Sequence, residues 1–392
     1  MIKSVNNLKV IFTALCLSLC LSMSACSDNP ASTERDMGKI MGNSAVGYAK
    51  VVPNRPLVFP QDHQAHNDFK QEWWYLTANL TTESGEPLGL QWTQFRIALT
   101  PPAAFQPAND TQSVNQSLVQ PHTKSADWQT NQIYMVHAAL TSKDQHFIDE
   151  KWSRAHPQLA SVQASPLAIF THNWRWQSQT KDLFPATLIA EQAEFGFTLQ
   201  LDSTAPFQRQ GENGYSIKYA DSSVASYYYS QPYIEVSGTV QRQGKSEKVS
   251  GKAWLDREWS SQFLTKSQQG WDWFSLRLTD EQTMMIFRLR GDDPSDHFFS
   301  ARLMQRDGSG NNLTSKDNPD DITMTPTQWQ QTKLGKHPVA WRIQVESQNI
   351  DIQTQALNPD SDMALSVAYW EGPISFSGTH QGTGYMELTG YD

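Results

Sequence analysis

Five short stretches set a carboxylate or a hydroxyl among large aromatic rings: Glu72-Trp73-Trp74-Tyr75, Tyr227-Tyr228-Tyr229, Trp254-Leu255-Asp256-Arg257-Glu258-Trp259, Gly270-Trp271-Asp272-Trp273-Phe274 and Tyr369-Trp370-Glu371-Gly372. On a β-strand, side chains two apart share a face. Trp254, Asp256 and Glu258 therefore point one way, and Leu255, Arg257 and Trp259 the other. Trp271, Trp273 and Ser275 likewise oppose Asp272 and Phe274. If Asp256 and Glu258 face a barrel lumen walled by tryptophan, desolvation and mutual repulsion raise the pKa of at least one of them. A carboxylic acid that stays neutral near pH 7 is a proton donor, and aromatic faces stabilise a developing carbocation. Together these can protonate an isolated alkene and let water add. Asp256 and Glu258 are the candidate acid and water-orienting group, with Asp272 in reserve. Trp74, Tyr75, Tyr228, Trp254, Trp271, Trp273 and Trp370 are candidate ligand walls, and Arg96 and Lys218 candidates for a ligand's polar end.

The same residues have a structural reading. Asp256 pairs with Arg257 or Lys252, Glu258 caps a turn, and the tryptophans are core. Arg96, Arg288 and Lys218 then close a barrel floor by stacking on tryptophan. Motifs of other chemistries are missing: no Gly-x-Ser-x-Gly elbow, Walker loop, complete dinucleotide fingerprint or His-Glu-x-x-His occurs. No cofactor and no metal is expected. His63 and His66, with Asp68 nearby, sit in a proline-flanked loop and read as surface residues; His137, between Val136 and Ala138, reads as a core histidine.

The elements that carry these residues are strands. Beyond residue 54, short aromatic and β-branched runs are broken by Gly, Pro, Asn and Asp, the pattern of an antiparallel all-β protein. Residues 101–131, rich in Gln, Asn, Ser and Pro, read as an inserted loop. Two stretches look duplicated. Tyr229-Ser230-Gln231-Pro232-Tyr233-Ile234-Glu235-Val236-Ser237-Gly238-Thr239 parallels Trp370-Glu371-Gly372-Pro373-Ile374-Ser375-Phe376-Ser377-Gly378-Thr379. Trp74-Tyr75-Leu76 leading to Phe95-Arg96 parallels Trp273-Phe274-Ser275 leading to Phe287-Arg288. The shared order implies two homologous β domains, 55–245 and 246–392, joined near residues 242–249.

Residues 1–25 open with Lys3 and Lys9 and continue into an apolar run too short to span a bilayer, the form of a secretory signal. Met23-Ser24-Ala25-Cys26 matches a bacterial lipobox, so Cys26 is the expected lipidation site. Residues 26–54 are small and polar and read as a tether. All three cysteines, Cys16, Cys20 and Cys26, lie in or at the leader, leaving the body no disulfide. The net charge of −9, more negative once Lys3 and Lys9 are cut away, argues against nucleic acid and anionic lipid as partners.

At these clusters the sequence resembles the AttH and carotenoid 1,2-hydratase family. The resemblance rests on Glu72-Trp73-Trp74-Tyr75-Leu76, Gln94-Phe95-Arg96, Gly214-Tyr215-Ser216-Ile217-Lys218, Tyr227-Tyr228-Tyr229-Ser230, Trp254-Leu255-Asp256-Arg257-Glu258-Trp259, Gly270-Trp271-Asp272-Trp273, Tyr369-Trp370-Glu371-Gly372 and the closing Gly382-Thr383-Gly384-Tyr385-Met386-Glu387-Leu388-Thr389-Gly390-Tyr391. It implies two tandem lipocalin-like, calycin-type antiparallel β-barrels, with an apolar ligand site in a barrel mouth or between the domains. The implied ligand is a hydrophobic isoprenoid or lipid-like molecule to which water is added. The lipobox and the Asp-Arg-Glu-Trp form of the central motif look closer to AttH-like lipoproteins than to the pigment enzymes, which turns the reading away from a carotenoid. The implied location is the periplasmic side of the outer or inner membrane, held by lipid. Two alternatives remain open: a non-catalytic carrier serving an ABC transporter, and a glycan-binding or glycan-cleaving protein.

Overall fold

Strands form wherever the aromatic and β-branched runs occur. A computed structural model describes residues 45–105 and 129–391. The expected signal segment and the expected lipidation site, Cys26, lie outside the described residues, as do residues 106–128 of the expected inserted loop.

A first antiparallel sheet takes β1 (Gln71–Thr82), β2 (Pro87–Ala98), β3 (Gln132–Thr141), β4 (His146–Arg154), β5 (Ala160–Ala164), β6 (Leu167–Thr171), β7 (Trp174–Ser178), β8 (Ala186–Glu191), β9 (Phe195–Asp202), β10 (Gln208–Arg209), β11 (Tyr215–Ile217), β12 (Ala225–Arg242) and β13 (Lys245–Ser260). Its order is β4-β3-β2-β1-β13-β12-β9-β8-β7-β6-β5, with β10 and β11 on β12. The second sheet takes β14 (Gln268–Arg277), β15 (Gln282–Gly291), β16 (Phe298–Gln305), β17 (Gly310–Thr314), β18 (Ile322–Gln331), β19 (Lys336–Val345), β20 (Ile350–Ala356), β21 (Asp362–Met363), β22 (Tyr369–Gly378) and β23 (Gly382–Leu388). Its order is β17-β16-β15-β14-β23-β22-β20-β19-β18, with β21 on β22. Each sheet curls around its own apolar core, so the all-β, two-barrel, lipocalin-like expectation holds.

Two boundaries differ from the sequence reading. Residues 242–249, expected as the domain junction, are the tip of the β12–β13 hairpin, and β13 pairs along its length with β1 in the first sheet. The chain changes sheet between Ser260 and Gln268. The end of the expected tether is already docked: the Tyr48 hydroxyl donates to the Ala98 carbonyl at 2.9 Å, and the Val52 amide donates to the Tyr227 hydroxyl at 2.9 Å.

Strand periodicity sorts the side chains into three regions. Trp74, Leu76, Leu255 and Trp259 fill the first barrel; Phe274, Leu276, Trp370, Met386 and Leu388 fill the second. Their neighbours, Tyr75, Tyr228, Trp254, Trp273 and Tyr385, form a third cluster shared by both sheets. The sheets therefore pack outer face to outer face. They come close enough that a Cβ on Gly89 of β2 would overlap Pro373 of β22.

The duplication shows in the late strands. Gly238 and Gly378 both have positive φ, and a Cβ on either would meet a backbone carbonyl of the next strand. In the early hairpin the sequence alignment is one residue out. Tyr75 lies opposite Asp256 and Trp273 opposite Glu387, so Trp273 corresponds to Tyr75, whose side chain faces the other sheet. Trp74 faces the barrel core.

Candidate functional site

Between the two sheets lies a cavity with about 80 Å³ of room for the centres of water-sized molecules, walled by rings from both halves. Trp73, Phe95 and Tyr228 come from the first sheet, and Trp271, Trp273, Phe287 and Tyr369 from the second. Asp256, Glu258, Glu387 and Lys218 supply its charged groups. The acids Asp256 and Glu258 do share a face, as the alternation required. That face is the outer one, and the barrel lumen holds Leu255, Arg257 and Trp259. Every strand here is buried on both sides, so period two fixes which residues go together and leaves open which side is the lumen.

Asp256, 3% exposed, accepts from the Tyr228 hydroxyl at 2.6 Å, from Trp254 Nε1 at 2.8 Å and from the Ser230 hydroxyl. These donors favour the ionised form, but loss of water outweighs them and, with the charge of Glu258, pushes the Asp256 carboxyl up to about 7. Glu258 is paired with Lys218 at 2.6 Å and accepts from the Ser226 hydroxyl. The Lys218 ammonium lies 4.6 Å from the centre of the Phe287 ring and 5.0 Å from that of Tyr228.

The opposite wall carries a second pair of acids. Glu371 and Glu387 are cross-strand partners on β22 and β23, so their carboxyls interact directly. Trp271 Nε1 donates to Glu387 at 2.6 Å, and the Tyr75 hydroxyl donates to Glu371 at 2.5 Å. Burial pushes Glu387 up to about 7 and Glu371 well above the carboxylate range. Burial likewise raises the phenols of Tyr75, Tyr228 and Tyr369, so they act as neutral donors. Tyr369 contacts His137 Nδ1 at 2.9 Å, and burial holds His137 below the ordinary histidine value.

Seven of the residues singled out from sequence line this cavity: Tyr75, Lys218, Tyr228, Asp256, Glu258, Trp271 and Trp273. Trp254 stands beside it as a donor to Asp256. The other four lie inside the barrels, away from the cavity. Asp272 is locked by Arg288 Nε and Arg290 Nη1, both at 2.7 Å, and by the Tyr391 hydroxyl at 2.6 Å. It faces away from the cavity and has no part in the acid pair. Arg96 pairs with Glu72 and donates to the carbonyls of Phe69 at 2.8 Å and His66 at 3.0 Å. Trp74 lies under Arg257, whose guanidinium carbon is 3.9 Å from the ring centre. Trp370 is core, its Nε1 donating to the Pro359 carbonyl at 3.0 Å. Arg288, by contrast, follows the floor-closing reading, 4.9 Å above Trp341. His63, read as a surface residue, is fully buried and contacts the Tyr229 hydroxyl at 2.6 Å.

Glu387, Glu371, Trp73, Phe95, Phe287 and Tyr369 were not singled out as site residues. A signal for several was present. Once Trp370 is core, Tyr369 and Glu371 must face the other way, and Tyr385-Met386-Glu387-Leu388 alternates as Trp254-Leu255-Asp256 does. Among the described residues, no group of three or more His, Cys, Asp or Glu is arranged to hold a metal ion.

The profile of the AttH-like family matches residues 50–391. A crystal structure of a protein assigned to AttH, from Nitrosomonas europaea, is 34% identical, with a TM-score of 0.73 over 88% of this chain and 99% of that one. Kievitone hydratase from Nectria haematococca shares the fold at 13% identity, with a TM-score of 0.61 over 88% of this chain and 96% of that one. Among curated proteins none matches. By the family profile, and by a relative this similar along most of its length, the chain belongs to the AttH-like family.

Proposed function

We propose that this protein adds water to a carbon–carbon double bond of a hydrophobic, isoprenoid or lipid-like molecule held between its two barrels. The observation that carries the reading is Asp256: a buried carboxyl, neutral up to about pH 7, opening on a cavity of aromatic rings. Its proton passes to one alkene carbon, and the neighbouring carbon becomes cationic among the rings of Tyr228, Trp271 and Trp273. Water adds there and loses its proton to Glu258, which is paired with Lys218. Return of that proton to Asp256, two residues away on the same face, restores the acid. Alkene and water are consumed and an alcohol is formed, with no net proton change. One neighbour in fold is a hydratase by name, which agrees with the proposal at the level of fold alone. The glycan reading loses ground because the acids lie in a small ring-walled cavity. Lipidation at Cys26 and a periplasm-facing location are part of the proposal and rest on the leader sequence.

Saturable quenching of tryptophan fluorescence by polyenes or long-chain lipids, with none by soluble oligosaccharides, tests the binding step. Trp73, Trp271 and Trp273 line the cavity, so the quench should be partial. Quenching by oligosaccharides alone would reverse the assignment, and lipid quenching without product would leave a carrier.

A further inference from the structure

The two halves contribute equivalent acids to the cavity. In the duplicated late strands, aligned at Pro232 and Pro373, Ser230 corresponds to Glu371. Their cross-strand partners are Asp256 and Glu387, and both partners accept from a tryptophan Nε1. The two walls differ in the charge that faces the acid. On the Asp256 side an ammonium is already in place: Lys218 Nζ is 2.6 Å from Glu258 and faces the rings of Phe287 and Tyr228. On the Glu387 side the rings of Trp271 and Trp273 and the acid are present, and no lysine or arginine of that sheet lines the cavity. Behind Glu387, the Oε2 atom of Glu371, a residue 1% exposed, makes no hydrogen bond.

We propose that the Glu387 wall is a subsite for positive charge on an apolar ligand: a hydrophobic ammonium seats against Trp271 and Trp273 with Glu387 as its counter-ion. The chemistry is that already realised by Lys218 across the cavity, a cation desolvated between π faces and a carboxylate. This rests on the cavity being the ligand site, as the hydration reading does, and deepens it. A site built for a resident ammonium also suits the cation formed when an alkene is protonated, so ammonium compounds should act as its stable mimics.

Calorimetric titration of the full-length chain in neutral detergent, with detergent alone as blank, tests this with three small soluble probes: benzyltrimethylammonium, benzyl alcohol and benzenesulfonate. At pH 8 the ammonium should bind about tenfold or more tighter than the alcohol, and the sulfonate most weakly. The groups around the subsite are Asp256, Glu258, Glu371, Glu387, Lys218 and the phenols of Tyr75, Tyr228, Tyr369 and Tyr385. Burial keeps Asp256 and Glu387 protonated below about pH 7, so the preference should shrink several fold at pH 6. At pH 7, ammonium binding should release protons, seen as a heat that depends on the buffer's ionisation enthalpy. Glu387→Gln should abolish most of the preference while benzyl alcohol binding persists; should that variant fail to fold, the pH and buffer dependence of the unmodified chain decides alone. An ammonium no tighter than benzyl alcohol, with the alcohol still bound, overturns the proposal and leaves the hydration reading standing. An ammonium preference indifferent to pH and to Glu387→Gln also overturns it, because the charge is then held elsewhere. Binding of none of the probes removes the cavity as a ligand site and takes both readings with it.

Discussion

Replacing Asp256 with asparagine should make the protein's stability less sensitive to alkaline pH, and the size of the effect follows from the burial of that carboxyl. Its ordinary value of 3.8 rises to about 7 in the fold. Below both values the carboxyl is protonated in folded and unfolded chains alike and contributes nothing to the balance. Between them the unfolded chain releases its proton while the native state retains it, so stability falls as pH rises through this window and levels off above about 7. At about 1.4 kcal/mol per pH unit the full cost is about 4 kcal/mol, of which about 2–3 kcal/mol accrues between pH 5 and pH 8. Asparagine carries no titrating proton, so the difference in stability between Asp256→Asn and the unmodified protein should move by that amount in favour of the variant from pH 5 to pH 8. The donors' preference for the ionised carboxyl is already contained in the value of about 7, and any loss common to both pH values cancels. For a chain of this size the movement is about 3 °C in melting temperature. Thermal melts of both proteins at pH 5, 6.5 and 8 measure it. Parallel curves would mean that Asp256 is ionised in the fold at pH 5, and the proton donor would lose its physical basis.

Other parts of the structure make separate claims. Asp272→Asn breaks a buried carboxylate held by two arginines and should cost about 3–5 kcal/mol of stability, lowering the melting temperature while the protein that remains folded binds polyenes unchanged; loss of binding without loss of melting would return Asp272 to the site. Glu72→Gln should do the same in the first barrel, by release of Arg96 and Arg257. Gly89→Ala should push the sheets apart at Pro373 at a cost of about 1–3 kcal/mol and weaken polyene binding, and wild-type melting with wild-type binding would contradict the close packing seen there. Cys26→Ser should move the protein from the membrane fraction to the soluble periplasm or an uncleaved precursor; unchanged partitioning would rule out anchoring through that residue.

Periodicity and motif order made much of this architecture legible in the sequence. The grouping of Trp254, Asp256 and Glu258 on one strand face is as observed, and so is the duplicated Pro-to-Gly strand. The direction of that face was not legible, because the outer surface of each barrel is covered by the other and reads as apolar as the lumen. Trp74 and Trp370, candidate ligand walls from their aromatic stretches, are core, and the immediate neighbour of each, Tyr75 or Glu371, belongs to the space between the sheets. Asp272 looked like Asp256 in its local sequence. What separates them is two arginines on the next strand, visible only when the hairpin is paired as Asp272↔Arg288. Glu387 has two phenols and no tryptophan in its own stretch, and the tryptophan that donates to it lies 116 residues earlier. The domain junction was misplaced because a Gly-Lys-Ser-Glu-Lys turn reads alike whether it joins domains or closes a long hairpin.

Incubation with isoprenoid and lipid extracts in water enriched in ¹⁸O, followed by mass spectrometry, bears most directly on the central claim that Asp256 drives addition of water to a double bond. The account predicts a product heavier than an alkene in the extract by one molecule of labelled water, formed by the unmodified protein and reduced about 100-fold or more by Asp256→Asn, with polyene quenching within a few fold of normal. Labelled product formed at full rate by Asp256→Asn would contradict it.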